Sequence, residues 1–257
     1  MSTATPQQAG SGSTPRLRAD AARNRAQILT AARAAFRELG TAAPLDEIAR
    51  RAEVNIATLY RRFPDREALV RQVVVDGLSV FYEAAKRALE AARTDAFCAI
   101  EQLMTDIIRE RDTLSLPLIG GPTTDDPYAA ELQRDNAAVI DEILSIARAQ
   151  GTIRDDATVV DIIAAGAMAC RPMPYIPSEQ AGALAMRHVR IFVDGLRGTP
   201  SRPMPCESPT AEELFANLWA TEGTADGRTS GGTADGISRG TAEATSEGAG
   251  GTAEGTA

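Results

Sequence analysis

Apolar residues recur at intervals of three and four along most of the first 198 residues, which is the spacing of a helix with one buried face. The pattern predicts helices over 21–39, 44–51, 56–62 and 66–92 in the first part of the chain. In the second part it predicts helices over 95–111, 127–150, 156–171 and 178–197, with a loop or broken helix over 116–127, where three prolines and a Gly-Gly pair occur. The prediction is an all-α fold.

The two ends of the chain lack this pattern. Residues 1–20 are rich in small polar residues and predict a disordered N-terminal arm. Residues 199–257 are rich in Pro, Gly and Thr and acidic, which predicts a disordered tail with one short amphipathic stretch over 212–219. The remainder divides into a small helical domain over 21–64 and a larger one over 65–198.

Composition narrows the class of protein. Aromatic residues make up only 4% and Ala dominates the apolar set, which favours packed helices over a β-sandwich or barrel. No apolar run is long enough for a membrane span and no secretory h-region follows Met1, so we expect a cytoplasmic protein with no membrane partner. The three cysteines lie far apart and are expected to be free thiols; no metal site and no cofactor are predicted.

The charge is distributed unevenly. The chain carries −8, but residues 1–72 hold twelve arginines and seven acidic residues, a net of +5, which leaves −13 for the rest. This asymmetry can orient a protein on a polyanion such as DNA, although chance clustering on a solvated helix face gives the same numbers.

Two short helices joined by a tight turn, behind a longer helix, form a helix-turn-helix pattern over 21–64. Ala49 is small where the two short helices cross, and Ile48, Val54 and Leu59 are placed to hold the pair against the first helix. The outer face of the second short helix is therefore free to enter the major groove of DNA.

Residues 25–73, and above all the run LDEIARRAEVNIATLYRRFPDREALV, resemble the DNA-binding domain of the tetracycline-repressor family. The resemblance implies that the helix after Asn55 is the recognition helix, and that Tyr60, Arg62 and Arg66 contact phosphates. Two departures from the family pattern are Glu53, where Gly is usual, and Ala43, where a capping Ser or Thr is common. The implied DNA-binding residues are Asn55, Ile56, Ala57, Thr58, Tyr60, Arg61, Arg62 and Arg66.

The resemblance further implies that residues 65–198 bind a small-molecule effector and form a homodimer. Residues expected to line an effector pocket, although plain core is the more common use of such side chains, are Phe81, Phe97, Met104, Ile108, Tyr128, Met168, Met173 and Tyr175. Residues expected at the dimer interface, unless they face the protomer's own core, are Val160, Ile163, Ala167, Leu184, His188, Ile191 and Phe192.

The function that these features predict is a sequence-specific transcriptional regulator, a repressor that a small-molecule effector releases from a palindromic double-stranded DNA operator. The alternatives are an activator of the same type and an architectural DNA binder without an effector. An enzyme is not expected, because any Ser-His-Asp arrangement would have to use the sole histidine, His188, and the sequence has no nucleophile elbow or glycine-rich phosphate loop.

Overall fold

The computed structural model describes residues 13–119, 126–173, 175–198 and 202–218. These ranges contain nine helices and no β-strand, only an isolated bridge between Ile153 and Arg197. None of these helices combines the length and the apolar character that crossing a bilayer requires. The helices are α1 (Ser13–Leu39), α2 (Leu45–Arg51), α3 (Ile56–Arg62), α4 (Arg66–Arg109), α5 (Arg111–Ile119), α6 (Pro127–Ala149), α7 (Val159–Cys170), α8 (Ser178–Gly195) and α9 (Ala211–Leu218).

Local capping explains where the main helices begin and end. The Asp65 carboxylate accepts from the amide of Ala68 at 2.7 Å and starts α4, and Thr158 forms a capping box with Asp161 at the start of α7. Gly40 and Gly151 follow α1 and α6 with φ of +76° and +66°, a left-handed conformation that favours glycine.

The core consists of two hydrophobic clusters that share α4. The N-terminal cluster packs α1, α2 and α3 against the first turns of α4, with contributions from α5 and α6, and Ile28, Ile48, Leu59 and Leu69 are fully buried in it. The second cluster packs the rest of α4 against α5, α6, α7 and α8. Because α4 contributes residues to both clusters, it connects the helix-turn-helix to the second cluster.

Three predictions of local structure were wrong at least in part, and one was confirmed. Helix α1 begins at Ser13, so 13–20 are helical rather than part of a disordered arm. The two helices predicted over 66–92 and 95–111 are confirmed within α4, where they meet at a kink: Asp95 leaves the helical conformation with φ of −149° and ψ of 96°. Burial of residues 114–118 keeps α5 helical through Pro117 as far as Ile119, in a segment where we predicted a loop or broken helix from 116 onwards. The tail prediction was wrong over 211–218, which form α9; the arm over 1–12 and the tail from 219 onwards lie outside the described residues.

Candidate nucleic-acid interface

The turn between α2 and α3 sets the position of the candidate recognition helix. The amide of Val54 donates to the carbonyl of Ala49 at 3.1 Å, and Glu53 adopts φ of +54°. The Asn55 side chain accepts from the amide of Ala57 at 2.8 Å and caps α3, as its sequence position predicts. Glu53 therefore adopts the left-handed backbone for which glycine is usual, and the turn keeps its geometry.

Helix α3 buries one side and exposes the other. Leu59 is fully buried, Phe63 ends the helix in the core, and Ile56 is half-buried against the N-terminal cluster. The exposed side carries Asn55, Ala57, Tyr60, Arg61 and Arg62, and half of the Tyr60 side chain (50%) is accessible. Thr58 is half-buried, and its hydroxyl accepts from Arg61 Nη2 at 3.3 Å. The structure thus gathers the predicted α3 residues on one side, with Ile56 and Thr58 at its margin.

The arginines of α2 form ion pairs within the described part of the protein, whereas those of α3 do not. Glu47 accepts from Arg50 at 2.8 Å and from Arg51 at 2.7 Å, and Arg51 also reaches Glu38 at 2.7 Å. Hydrogen bonds from Arg50 and Arg51 lower the pKa of Glu47 to about 2. Among the described residues, Arg61 and Arg62 form no ion pair. Of the arginines of α2 and α3, those that remain available to phosphate therefore lie on α3.

Arg66 has an intramolecular role that the sequence did not indicate. It is half-buried, and its Nη1 donates to the carbonyl of Thr41 at 2.9 Å and to the carbonyl of Ala43. These bonds join the start of α4 to the α1–α2 connection. Arg66 thus couples the helix-turn-helix to α4, while its predicted phosphate contact stays a prediction.

A small cavity lies where α4, α5, α6 and α7 meet. Its volume is about 30 Å³. We call it the core cavity, and its lining consists of Gly77, Leu78, Phe81, Leu114, Pro117, Leu118, Gln133, Asn136, Ile163 and Phe215. Sequence analysis identified only Phe81 of this set as a pocket residue. It missed Pro117 and Leu118 because they lie in the segment that was predicted as a loop or broken helix, and Gln133 and Asn136 because they are polar.

The other seven residues predicted for the pocket do not meet there. Phe97, Met104 and Ile108 are buried in the second hydrophobic cluster. Tyr128, Met168 and Tyr175 are exposed, Tyr175 to 97%. Met173 is half-buried and lines a separate cavity of about 520 Å³ between the ends of α1 and α7, together with Arg37, Arg111 and Arg171. The prediction of one shared pocket was wrong, because helical spacing does not tell which helix face a neighbour covers.

The residues predicted for the dimer interface divide into two groups. Val160 and Ile163 are buried within the protomer, and Ala167 and Phe192 are half-buried against the second cluster, so these four pack largely against their own protomer. Leu184, His188 and Ile191 lie exposed along one face of α8, and Ile191 is accessible to 67%. Nothing lies within 4 Å of a Cβ built at Gly195 on the same face. We call these four positions the α8 face.

Comparison with known proteins gives the family. None of the curated proteins matches this sequence. Residues 28–73 match the model of the bacterial regulatory proteins of the tetR family, and residues 100–198 match the model of the SbtR-like transcriptional regulator C-terminal domain. The two models together span more than half of the chain. The chain belongs to the TetR family. It is an all-α transcriptional regulator of the helix-turn-helix type.

Solved structures of TetR regulators resemble this chain. A TetR regulator from Mycobacterium vanbaalenii is 34% identical, with 70% of this chain and 99% of that chain covered and a TM-score of 0.47. PfmR from Thermus thermophilus is 20% identical, with 66% and 98% covered and a TM-score of 0.52. The ketosteroid regulator KstR2 of Mycobacterium tuberculosis is 17% identical, with 67% and 94% covered and a TM-score of 0.51.

One helix of this TetR regulator lies outside the residues that match the family models. The C-terminal model ends at residue 198, and α9 begins at Ala211. Phe215 of α9 nevertheless contributes to the lining of the core cavity. The extension is therefore part of the environment of a cavity that the family domains build.

Proposed function

We propose that this TetR regulator is a cytoplasmic homodimeric repressor that binds a palindromic operator through α3 and is released by a small-molecule effector. The observation that carries the DNA-binding part is the exposed side of α3, where Tyr60, Arg61 and Arg62 are free of the intramolecular ion pairs that engage Arg50 and Arg51 among the described residues. Side chains of this kind position a protein on phosphates, while residues at the start of the helix read base edges.

The α8 face supports a dimer. Exposed Leu184 and Ile191 lie on the same side of the helix as Gly195, and an apolar stripe that ends in a small residue suits close packing against a second copy. A two-fold dimer presents two recognition helices, so the operator needs half-sites about 34 Å apart, or a multiple of that distance.

The shared helix α4 supports release by an effector. Its N-terminal end is bonded to the α1–α2 connection through Arg66, and Gly77 and Phe81, farther along, line the core cavity. A ligand that enlarges the cavity moves α4 and with it the separation of the two α3 helices. Release requires that the ligand bind the non-binding arrangement more tightly than the DNA-bound one.

The competing functions make different predictions. An architectural binder protects unrelated duplexes equally, whereas an activator binds the operator but raises transcription. Catalysis would have to use His188, which lies exposed on α8. The variant His188→Gln keeps DNA binding in a regulator and loses turnover in an enzyme.

The test is footprinting of the DNA that flanks the protein's own gene, at about 0.15 M salt with excess competitor DNA. We expect a protected palindrome with the wild type, no protection with Arg61→Ala plus Arg62→Ala, and full protection with Arg93→Ala, an exposed arginine far along α4. Equal protection of unrelated DNA, or protection unaffected by the α3 substitutions, contradicts the proposal.

A further inference from the structure

Phe215 of α9 occupies part of the space that the core cavity would otherwise offer. The remaining volume of about 30 Å³ is comparable to that of one water molecule. Phe81 on α4, Leu118 on α5 and Ile163 on α7 surround this space with apolar side chains. The space left beside Phe215 is small, and removal of the Phe215 ring would enlarge it.

One residue of the cavity lining, Asn136, carries an unsatisfied polar atom. Asn136 of α6 is exposed to only 4%, and its Nδ2 donates to the carbonyl of Leu78 at 3.1 Å. Its Oδ1 is buried and has no hydrogen-bond partner within the described part of the chain. A buried acceptor without a donor costs free energy, which a ligand that donates to it recovers. The lining therefore suits an apolar ring that carries one hydroxyl or N–H group.

The hydrogen bonds that join α9 and the segment before it to the rest of the described chain are exposed to solvent. Thr210 and Glu213 form a capping box, in which Thr210 N donates to Glu213 Oε2 at 2.8 Å and Glu213 N donates to Thr210 Oγ1 at 3.1 Å. Before it, Ser208 contacts Thr158 at 2.9 Å between hydroxyls, in an exposed position. A helix of eight residues is marginal without packing, so the contacts of Leu214 and Phe215 with the core decide whether α9 forms.

We propose that α9 is a built-in occupant of the core cavity, and that the effector is an aromatic molecule with one hydrogen-bond donor that takes the place of Phe215. This inference rests on the proposed release by an effector. It adds the chemical class of that effector and the contact that the effector must break. Detachment of α9 and expansion of the cavity are then one event. Helix α9 lies beyond the residues that match the family models. Control of effector binding by α9 is therefore a property of this C-terminal extension.

The proposal is tested by calorimetric titration of the full chain with phenol and with toluene. The two molecules have nearly the same shape, but only phenol carries a hydrogen-bond donor. Phe215→Ala is expected to bind phenol at least tenfold more tightly than the wild type, because the ring that competes for the site is gone. Thr210→Ala, at a position outside the cavity lining, is expected to bind phenol about fivefold more tightly because the cap of α9 is lost. The matched control is Phe192→Ala, which removes a half-buried ring of α8 that does not line the cavity and is expected to bind like the wild type.

Two outcomes overturn the inference, with folding of each variant checked by circular dichroism. If Phe215→Ala binds phenol no better than Phe192→Ala, α9 does not occupy the site. If toluene binds Phe215→Ala as tightly as phenol does, Asn136 does not select a donor. The titrations need no DNA, so they decide this inference independently; failure of the wild type to bind any operator contradicts the proposed function instead.

Discussion

Gly77 of α4 lies directly against Pro117 of α5. A Cβ built at Gly77 would lie 2.6 Å from Pro117 Cγ and 2.8 Å from the carbonyl oxygen of Thr113, closer than real Cβ contacts. Helix α5 also reaches the N-terminal domain, where Arg37 of α1 pairs with Asp112. The contact between Gly77 and Pro117 thus fixes the spacing of two helices that both lead from the core cavity to the helix-turn-helix.

Gly77→Ala is expected to force α4 and α5 apart. Overpacking of this kind costs about 1–3 kcal/mol, which urea unfolding measures. DNA affinity is expected to fall as well, because the change acts on the helices that a bound effector would move. The control is Gly166→Ala, at a buried position of α7 where the nearest side-chain atom, Ile107 Cγ2, lies at 3.5 Å and leaves ordinary room; it is expected to be neutral or stabilising by about 0.5–1 kcal/mol. Equal behaviour of the two variants would show that the spacing is not constrained.

Tyr60→Phe is expected to weaken binding to every DNA sequence by a similar factor, roughly tenfold, because a hydroxyl bonded to phosphate carries no base information. Half of the side chain is exposed, so the protein's own stability is expected to change little. Affinity measurements on a set of single-base operator variants check this. A change of preference at one base position would assign the hydroxyl to base reading.

Ile191→Glu is expected to separate the dimer into folded protomers. A charge in an apolar contact between copies carries a desolvation cost, whereas on the free surface of one protomer, where Ile191 is 67% exposed, it costs little. Sedimentation velocity checks the oligomeric state, and Val80→Glu, an exposed apolar position on α4, is the control. Dimers that persist in Ile191→Glu would exclude the α8 face as the interface.

Protonation of Glu47 is expected to lower the stability of the folded protein at acid pH. Hydrogen bonds from Arg50 and Arg51 lower its pKa from 4.5 to about 2 in the folded protein. A lowered pKa stabilises the folded state above the unfolded value, and this contribution is lost as the pH falls from about 4.5 to about 2. Carboxyl NMR titration is expected to give a midpoint near 2 in the wild type and a higher one in Arg50→Ala. A wild-type midpoint at the ordinary value would mean that the two arginines do not hold the carboxylate.

The helix-turn-helix could be predicted from sequence because its determinants are local. Asn55 caps α3 and Leu59 lies on the buried side, both within a few residues of the turn. The turn also accommodates Glu53 in place of the usual glycine. One non-glycine residue with φ of +54° costs about 1–2 kcal/mol, which the packing of the surrounding core offsets.

The core cavity could not be predicted in the same way, because distant segments build it. Pro117 indicates a break by its own preferences, yet the α5 helix persists because residues 114–118 are buried. Phe215 lies in a segment whose composition indicates disorder, and only packing against α7 and the cavity reveals its position. Periodicity identifies a buried face but not the residues opposite it, which is why Met168 and Tyr175 were placed in a pocket and lie exposed.

Selection of bound sequences from a randomised duplex pool tests the central claim most directly, because it needs no knowledge of the operator. The wild type is expected to enrich an inverted repeat whose half-sites lie about 10 base pairs apart, or a multiple of that, and the variant Arg61→Ala plus Arg62→Ala to enrich none. A folded wild-type dimer that enriches no sequence, or α3 variants that enrich the same repeat with the same affinity, would contradict DNA recognition through α3.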